Sequence, residues 1–142
     1  MSETVFTKII RGEIPCHRVY EDDHVLAFLD IFPLSRGHTL LIPKQAVAYL
    51  HMLDEAHGTA LGKALPKVCA GVVKATGAKA YNVLQNNGEL AHQEVMHVHF
   101  HVIPRYDLPN SAGLGIVWRK ASLDSMSGAE LAADIASCIA EA

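Results

Sequence analysis

Three histidines alternate with apolar residues near position 100 of this chain. The segment reads His97-Val98-His99-Phe100-His101 and continues as Val102-Ile103-Pro104. A period of two predicts a β-strand, in which successive side chains point to opposite faces of a sheet. We therefore expect the three imidazoles to share one face and the apolar side chains between them to share the other.

This crowding of imidazoles has a chemical consequence. Three rings on one face cannot all be protonated comfortably near neutral pH, because their charges repel one another. At least one ring then stays neutral, and a neutral imidazole can act as a nucleophile, a base or a metal ligand. Two readings stay open at this point. The histidines could bind zinc through three imidazoles, or one could attack a phosphoryl group that its neighbours hold.

The polar segment upstream favours the phosphoryl reading. Asn86, Asn87, Gly88 and Gln93 precede the histidines and offer amide and backbone N–H donors. Such donors suit anionic oxygens better than they suit a metal ion.

Composition narrows the class of protein. The chain has 142 residues, half of them apolar, which fits a single domain over 1–142 with a real core. The net charge is −3 and no basic cluster occurs, so we expect no nucleic-acid partner. The three cysteines are far apart and form no CxxC, which argues against a disulfide framework and a cysteine zinc site. We find no leader-like or membrane-spanning run and expect a cytoplasmic protein without membrane contacts.

The order of patterns predicts an α+β fold. We expect an antiparallel sheet of about five strands, one long helix and short flanking helices. The strands are predicted at 16–20, 24–29, 38–42, 81–85 and at the histidine segment, with a short helix over 5–11. The long helix covers 54–75, where Pro66 should kink or split it. A last helix begins at a capping box, Ser127 to Glu130, and places Leu131, Ile135 and Ile139 on one face.

The chain resembles the histidine triad (HIT) superfamily, in its bacterial HIT-like, Hint-type branch. The triad pattern carries the resemblance, and four further regions follow the family order over residues 4–106. The C-terminal loop and helix, 107–142, lie beyond it. These regions are Phe6-Thr7-Lys8-Ile9-Ile10-Arg11-Gly12-Glu13-Ile14-Pro15, Val19-Tyr20-Glu21-Asp22-Asp23 with Ala27-Phe28-Leu29-Asp30-Ile31, Gly37-His38-Thr39-Leu40-Leu41-Ile42-Pro43-Lys44, and Gln85-Asn86-Asn87-Gly88 with Gln93-Glu94-Val95.

The resemblance implies a nucleotide-binding enzyme. Its substrates would be purine nucleoside phosphoramidates, with AMP as the typical nucleotide part, and His99 would attack the α-phosphate. Water would then release the nucleoside monophosphate from a nucleotidyl-histidine intermediate. By the same resemblance, His101 and His38 contact the phosphate or relay protons, and the carbonyl of His97 fixes the ring of His99.

The resemblance also assigns substrate-binding residues. Asp30 matches the acidic residue that holds the ribose hydroxyls, and Ile31 lines the base cleft. Asn86 and Gln93 match polar positions of the phosphate loop. Glu94 stands where some branches carry a serine or threonine that helps the leaving group. His92 stands where relatives often have glycine.

We expect neither a metal nor a cofactor. In many bacterial relatives two cysteines and a histidine hold a structural zinc together with a triad histidine. The corresponding positions here are Thr4, Thr7 and Ala46.

Three alternative functions and an assembly state complete the expectations. The alternatives are a diadenosine polyphosphate hydrolase, a catalytically slow nucleotide-binding or scaffolding protein, and a zinc-binding module. We also expect a homodimer, because an edge strand and an apolar helix face need cover. The resemblance implies that the sheet extends across the two-fold axis of this dimer. The long helix and Tyr81-Asn82-Val83-Leu84 would lie at or near that interface. The helix stripe consists of Leu61, Leu65, Val68 and Val72.

Overall fold

The computed structural model describes residues 3–107 and 113–142 and has the expected α+β architecture. Its helices and strands are α1 (Val5–Ile10), β1 (Arg18–Glu21), β2 (Val25–Leu29), β3 (Thr39–Pro43), α2 (Glu55–Thr76), β4 (Ala80–Gln85), β5 (Phe100–Arg105) and α3 (Ser125–Glu141). Short 3₁₀ turns lie at Leu50–Met52 and Glu89–Ala91. Within these described residues, no helix has the length and apolar character that a membrane span requires.

The five strands form one antiparallel sheet in the order β1-β2-β3-β5-β4. The hairpin between β1 and β2 is closed by Asp22, whose carboxylate accepts hydrogen bonds from the backbone N–H groups of His24 and Val25. In the middle of the sheet, Leu40 of β3 lies opposite His101 of β5. Residues directly opposite in a sheet share a face, so His101 lies on the same side as Leu40.

Helix α2 covers one face of the sheet. It begins at Asp54, whose carboxylate caps the backbone of His57, and it ends at Gly77 in the left-handed conformation. The helix runs continuously through Pro66, so the predicted split does not occur. Its apolar stripe, Leu61, Ala64, Val68, Cys69 and Val72, is buried against Val25, Ala27, Leu41 and Val102 of the sheet. The stripe that we considered for a dimer interface, Leu61, Leu65, Val68 and Val72, therefore packs in the core of a single chain.

The opposite face of the sheet is covered in part by α1. The hydroxyl of Thr4 accepts hydrogen bonds from the backbone of Phe6 and Thr7, and the hydroxyl of Thr7 accepts one from the backbone of Thr4. This reciprocal capping box fixes the first turn of the helix. Thr4 and Thr7, the two positions at which the resemblance would place zinc-binding cysteines, thus cap a helix here. Phe6 is buried with Leu26, Phe28, Leu40 and Ile42.

Helix α3 follows a different pattern from α2. Asp124, not Ser127, is its N-cap, because the carboxylate of Asp124 accepts the hydrogen bond of the Ser127 N–H. The predicted start at Ser127 was therefore wrong by one turn. The apolar face exists as expected, but none of its residues is buried in the described chain, and Leu131, Ile135 and Ile139 are all more than half exposed.

Candidate active site

The histidine segment is only partly a β-strand. β5 begins at Phe100, so His97 and His99 precede it in irregular backbone, and the prediction of a strand through all three histidines was wrong. The reason is a contact outside the β4–β5 ladder. The N–H of Val98 donates to the carbonyl of Val47 at 2.9 Å, which ties the segment to the loop after β3.

The expected sharing of one face is nevertheless confirmed. The ring of Phe6 meets the rings of His97 and His99 edge-on, with centroids 5.9 and 5.1 Å apart. The rings of His99 and His101 lie 4.9 Å apart. All three imidazoles therefore lie on the α1 side of the sheet.

His99 is held in one tautomer by the backbone. Its Nδ1 lies 2.7 Å from the carbonyl oxygen of His97. A carbonyl only accepts hydrogen bonds, so Nδ1 carries the proton and Nε2 keeps its lone pair. The side chain is 6% exposed and lines the cleft described below. The geometry supplies a fixed, neutral imidazole with a free lone pair.

A chain of hydrogen bonds from the backbone of Leu34 fixes the tautomers of His38 and His101. The backbone N–H of Leu34 donates to Nδ1 of His38 at 3.0 Å, so the proton of a neutral His38 ring is on Nε2. That nitrogen lies 2.9 Å from Nδ1 of His101 and 3.6 Å from a carboxylate oxygen of Asp30. Because Nδ1 of His101 accepts, Nε2 of His101 carries the proton. His101 is thereby prepared as a hydrogen-bond donor.

His97 has a positioning role in this geometry. Its Nε2 donates to the carbonyl of Pro43 at 2.8 Å, and its side chain is 1% exposed. Its Nδ1 has no hydrogen-bond partner among the described residues. The ring anchors the segment, while the carbonyl of the same residue orients His99.

The environment keeps these rings neutral. Burial lowers the pKa of His38, His97 and His99, and it lowers the pKa of His101 to about 4, with the neighbouring histidines adding to that effect. The carboxylate of Asp30 opposes the shift for three of the rings, but burial dominates. Near pH 7 the cluster therefore offers lone pairs and N–H donors rather than imidazolium charges.

One group of side chains could hold a metal ion. Ligand atoms of Asp30, His38 and His101 lie within 4.8 Å of one another in the described part of the chain. The facing nitrogens of the two histidines are 2.9 Å apart, as in a hydrogen bond. Two nitrogens on one tetrahedral zinc lie about 3.4 Å apart, so a metal would require the rings to separate. The arrangement as it stands suits a proton better than a cation.

The histidines open into a cleft of about 890 Å³, a size typical of small-molecule sites. Asp30, Ile31, Asn86 and Glu94, which the resemblance assigns to substrate binding, lie in its lining. Ile31 is 72% exposed, so this side chain is available for contact. Residues 113–115 of the C-terminal segment also line the cleft. The other apolar residues of the lining are Val5, Phe6, Ile9, Ile14, Pro15, Cys16, Phe28, Leu29, Phe32, Leu34, Leu40, Leu84, Ala91, Val95 and Ile103.

Gln93 lies outside the lining of the cleft. Its side chain is 3% exposed and accepts a hydrogen bond from the N–H of Gly88 at 2.7 Å. Its amide nitrogen donates to the carbonyls of Ala48 and Val95. With both ends of its amide engaged, Gln93 braces the loop between β4 and the histidines.

The same loop carries the one non-glycine residue with positive φ among the described residues. His92 has a φ of 74° and caps the 3₁₀ turn at Glu89–Ala91. The left-handed region is costly for a residue with a Cβ. His92 and Glu94 both line the cleft.

Sequence reasoning missed three groups that position the site. These are the N–H of Leu34, the carbonyl of Pro43 and the glycines of the C-terminal segment. The first two act through backbone atoms, which any residue type provides, so the sequence carries no signal for them.

Comparison with known proteins identifies the family of this chain. The model of the HIT domain matches residues 11–108. The chain belongs to the HIT family. An adenosine 5′-monophosphoramidase of Schizosaccharomyces pombe is 50% identical over 115 residues, which cover 80% of this chain and 81% of that protein.

One further relative and one solved structure are also similar to this HIT protein. An adenylylsulfatase of Arabidopsis thaliana is 45% identical over 104 residues, covering 73% of this chain and 53% of that protein. A solved structure, described as a hypothetical protein from Leishmania major, superposes with a TM-score of 0.90 at 47% identity. That superposition covers 98% of this chain and 97% of the other. The HIT fold of the whole described chain is therefore shared with an experimental structure.

Proposed function

We propose that this HIT protein hydrolyses purine nucleoside 5′-phosphoramidates, with AMP as the nucleotide part, through a covalent intermediate on His99. The observation that carries the proposal is the tautomer of His99. Its Nδ1 is bound to the carbonyl of His97, so the lone pair of Nε2 is available at the cleft. The name of the Schizosaccharomyces pombe relative, an adenosine 5′-monophosphoramidase, supports the same reaction class.

The reaction proceeds in two displacements. In the first, Nε2 of His99 forms a bond to the α-phosphorus and the P–N bond to the leaving amine breaks. The amine keeps the bonding electron pair and takes up one proton from water. In the second, a water molecule attacks the nucleotidyl-histidine, releases the nucleoside monophosphate and returns one proton to the solvent. Throughout, the N–H at Nε2 of His101 donates to the phosphoryl group.

The remaining residues bind the substrate. Asp30 holds the ribose hydroxyls, Ile31 contacts the base, and Asn86 and Glu94 face the phosphate and the leaving group. Gln93 acts indirectly, because its amide braces the loop that carries these two residues. His38 orients His101 through the 2.9 Å contact between their rings.

A trapping experiment tests the proposal. Purified protein is mixed with adenosine 5′-phosphoramidate, quenched after milliseconds, and its peptides are analysed by mass spectrometry. We expect an added AMP mass on the peptide that contains His99, localised to that residue, and release of AMP at longer times. An adduct on another residue would overturn the assignment of the nucleophile.

The same assay separates the alternatives. A specificity constant that is orders of magnitude higher for diadenosine polyphosphate would favour a dinucleotide hydrolase. Nucleotide binding without turnover of either substrate would favour a binding or scaffolding role, and stoichiometric zinc in carefully purified protein would favour a metal module.

We also propose a homodimer. β4 is an edge strand of the sheet, and Tyr81 and Val83 on it are more than 40% exposed. Such an edge presents unpaired backbone groups and favours pairing with a second copy. The uncovered apolar face of α3 adds a second surface for that contact. Light scattering at micromolar concentration should give twice 15.4 kDa, and a mass near 15.4 kDa would refute the dimer.

A further inference from the structure

The charges that line the cleft are of one sign. Asp30 and Glu94 are the only aspartate and glutamate in the lining, and no lysine or arginine lines the cleft among the described residues. The buried histidines there are neutral near pH 7. A phosphoryl group in this cleft would therefore be held by neutral N–H donors, while the only charged side chains in the described lining are carboxylates.

The two carboxylates have different surroundings. One oxygen of Asp30 accepts the N–H of Phe32 at 2.9 Å, and the other lies 3.6 Å from Nε2 of His38. Glu94 is exposed and makes no hydrogen bond or ion pair within the described residues. The charge of Asp30 acts on His38, His99 and His101, whereas that of Glu94 acts on His99 alone among these three. Of the two carboxylates, Glu94 is therefore the one whose side chain is open to contact with a substrate group.

The direction of attack determines which part of the substrate lies near Glu94. In an in-line displacement the leaving group lies across the phosphorus from the attacking nitrogen. Since Nε2 of His99 belongs to a buried ring, the leaving group points outward, towards the mouth of the cleft. Glu94 and His92 are exposed lining residues of the cleft.

We infer that Glu94 selects leaving amines that carry an additional positive charge. The inference rests on the proposed function and names the substrate class of that same site: phosphoramidates whose amine portion bears a second, cationic group. A carboxylate and an ammonium in an exposed position attract one another modestly, enough for a roughly three- to fivefold preference. An anionic leaving group, such as the sulfate that the name of the Arabidopsis thaliana relative implies for that protein, is disfavoured by the same carboxylate.

Three substrates of matched length test the inference. They are adenosine 5′-phosphoramidates of 1,4-diaminobutane, butylamine and 4-aminobutyrate, which present a cationic, a neutral and an anionic end. We expect kcat/KM of the wild-type protein to fall in that order. In Glu94→Gln the ratio of cationic to neutral substrate should fall about three- to fivefold, and in Glu94→Lys the order should reverse. The preference should also weaken as salt is added.

A neighbouring glutamate provides the matched control. Glu89 lies on the 3₁₀ turn of the same loop, is exposed, and does not line the cleft. Glu89→Gln makes the same change of charge and should leave the three ratios unaltered.

The outcomes separate this inference from the proposed function. Equal substrate ratios in the wild-type protein and in Glu94→Gln, with turnover intact, would overturn the role of Glu94 and leave the proposed function standing. A ratio that falls equally in Glu89→Gln would also overturn it, because the effect would then come from net charge alone. Absence of turnover on all three substrates would overturn the proposed function itself.

Discussion

The two faces of the sheet bury different kinds of side chain. On the α2 face, every buried residue of the core cluster is apolar or a cysteine. On the α1 face, apolar residues such as Phe28 and Leu40 give way to His38, His97 and His99, all buried. β5 contributes to both faces, because Val102 belongs to the α2 core while His101 lines the cleft.

This difference implies that the α2 face contributes mainly to the free energy of folding and the cleft face mainly to the reaction. Apolar burial contributes to folding free energy in proportion to area. A buried imidazole loses part of that gain, because its polar atoms must find partners and its protonated form is disfavoured. We therefore expect substitutions on the α2 face to change the free energy of unfolding, and substitutions on the cleft face to change turnover. Four predictions test this separation, starting with the largest effect.

Replacement of His99, the proposed nucleophile, should give the largest effect. In His99→Ala we expect kcat/KM for adenosine 5′-phosphoramidate to fall by at least ~10⁴-fold, because the covalent step is lost. The urea midpoint should change little, since the imidazole contributes little net burial energy. The exposed His17, which does not line the cleft, provides the matched control His17→Ala. Retention of activity within tenfold in His99→Ala would contradict the assigned role.

Truncation of the α2 core should have the converse effect. Leu61 of α2 is 4% exposed and belongs to the apolar cluster under the helix. Leu61→Ala should lower the free energy of unfolding by about 3 kcal/mol, as measured by urea denaturation. At temperatures where the variant is folded, its kcat/KM should stay within twofold of the wild-type value. A large loss of kcat/KM in folded protein would show that the two faces are coupled.

Acid should destabilise the protein through the cleft face. The pKa of His101 is lowered to about 4 in the folded state by burial, while the unfolded chain titrates near the ordinary value of 6.5. Between these values the unfolded state binds more protons, so the stabilisation is present above about pH 6.5 and is lost as pH falls towards 4. We expect a loss of about 3 kcal/mol from this residue, because each unit of pKa difference corresponds to about 1.4 kcal/mol.

The matched variant makes the pH prediction specific. His101→Asn removes the titrating ring and keeps a polar side chain, so the fall in stability between pH 6.5 and 4 should be smaller than in the wild-type protein. An unchanged pH profile in this variant would assign the acid sensitivity to other groups.

Relief of backbone strain should give the smallest effect. His92 adopts a φ of 74°, which glycine tolerates without cost. His92→Gly should raise the free energy of unfolding by about 1 kcal/mol. Because the side chain lines the cleft, the same variant should alter KM for substrates with bulky leaving groups. A loss of stability would indicate that the ring makes compensating contacts.

The sequence predicted local features more successfully than long-range ones. Alternation correctly placed the three imidazoles on one side, and the number of strands and the long helix were right. The strand did not extend through His97 and His99, because the bonds to Val47 and Pro43 depend on residues about fifty positions away. The start of α3 was missed by one turn, since Asp124 and Ser127 are both good caps and local chemistry alone does not rank them.

The positions of the site residues were likewise predicted in part. Asp30, Ile31, Asn86 and Glu94 were predicted from the family resemblance, and the structure brings them to the cleft. Gln93 was predicted to bind substrate directly, but its amide is used within the protein.

The absence of lysine and arginine from the described lining of the cleft has a consequence for turnover. In the proposed reaction, hydrolysis converts a phosphorus group with one negative charge into AMP, whose charge is about −1.5 to −2 at neutral pH. A cleft whose described lining has carboxylates as its fixed charges would hold the more anionic molecule less tightly. Under that proposal product leaves readily, and inhibition by AMP should be weak relative to the affinity for substrate. Rapid release would then come at the expense of electrostatic capture of the substrate.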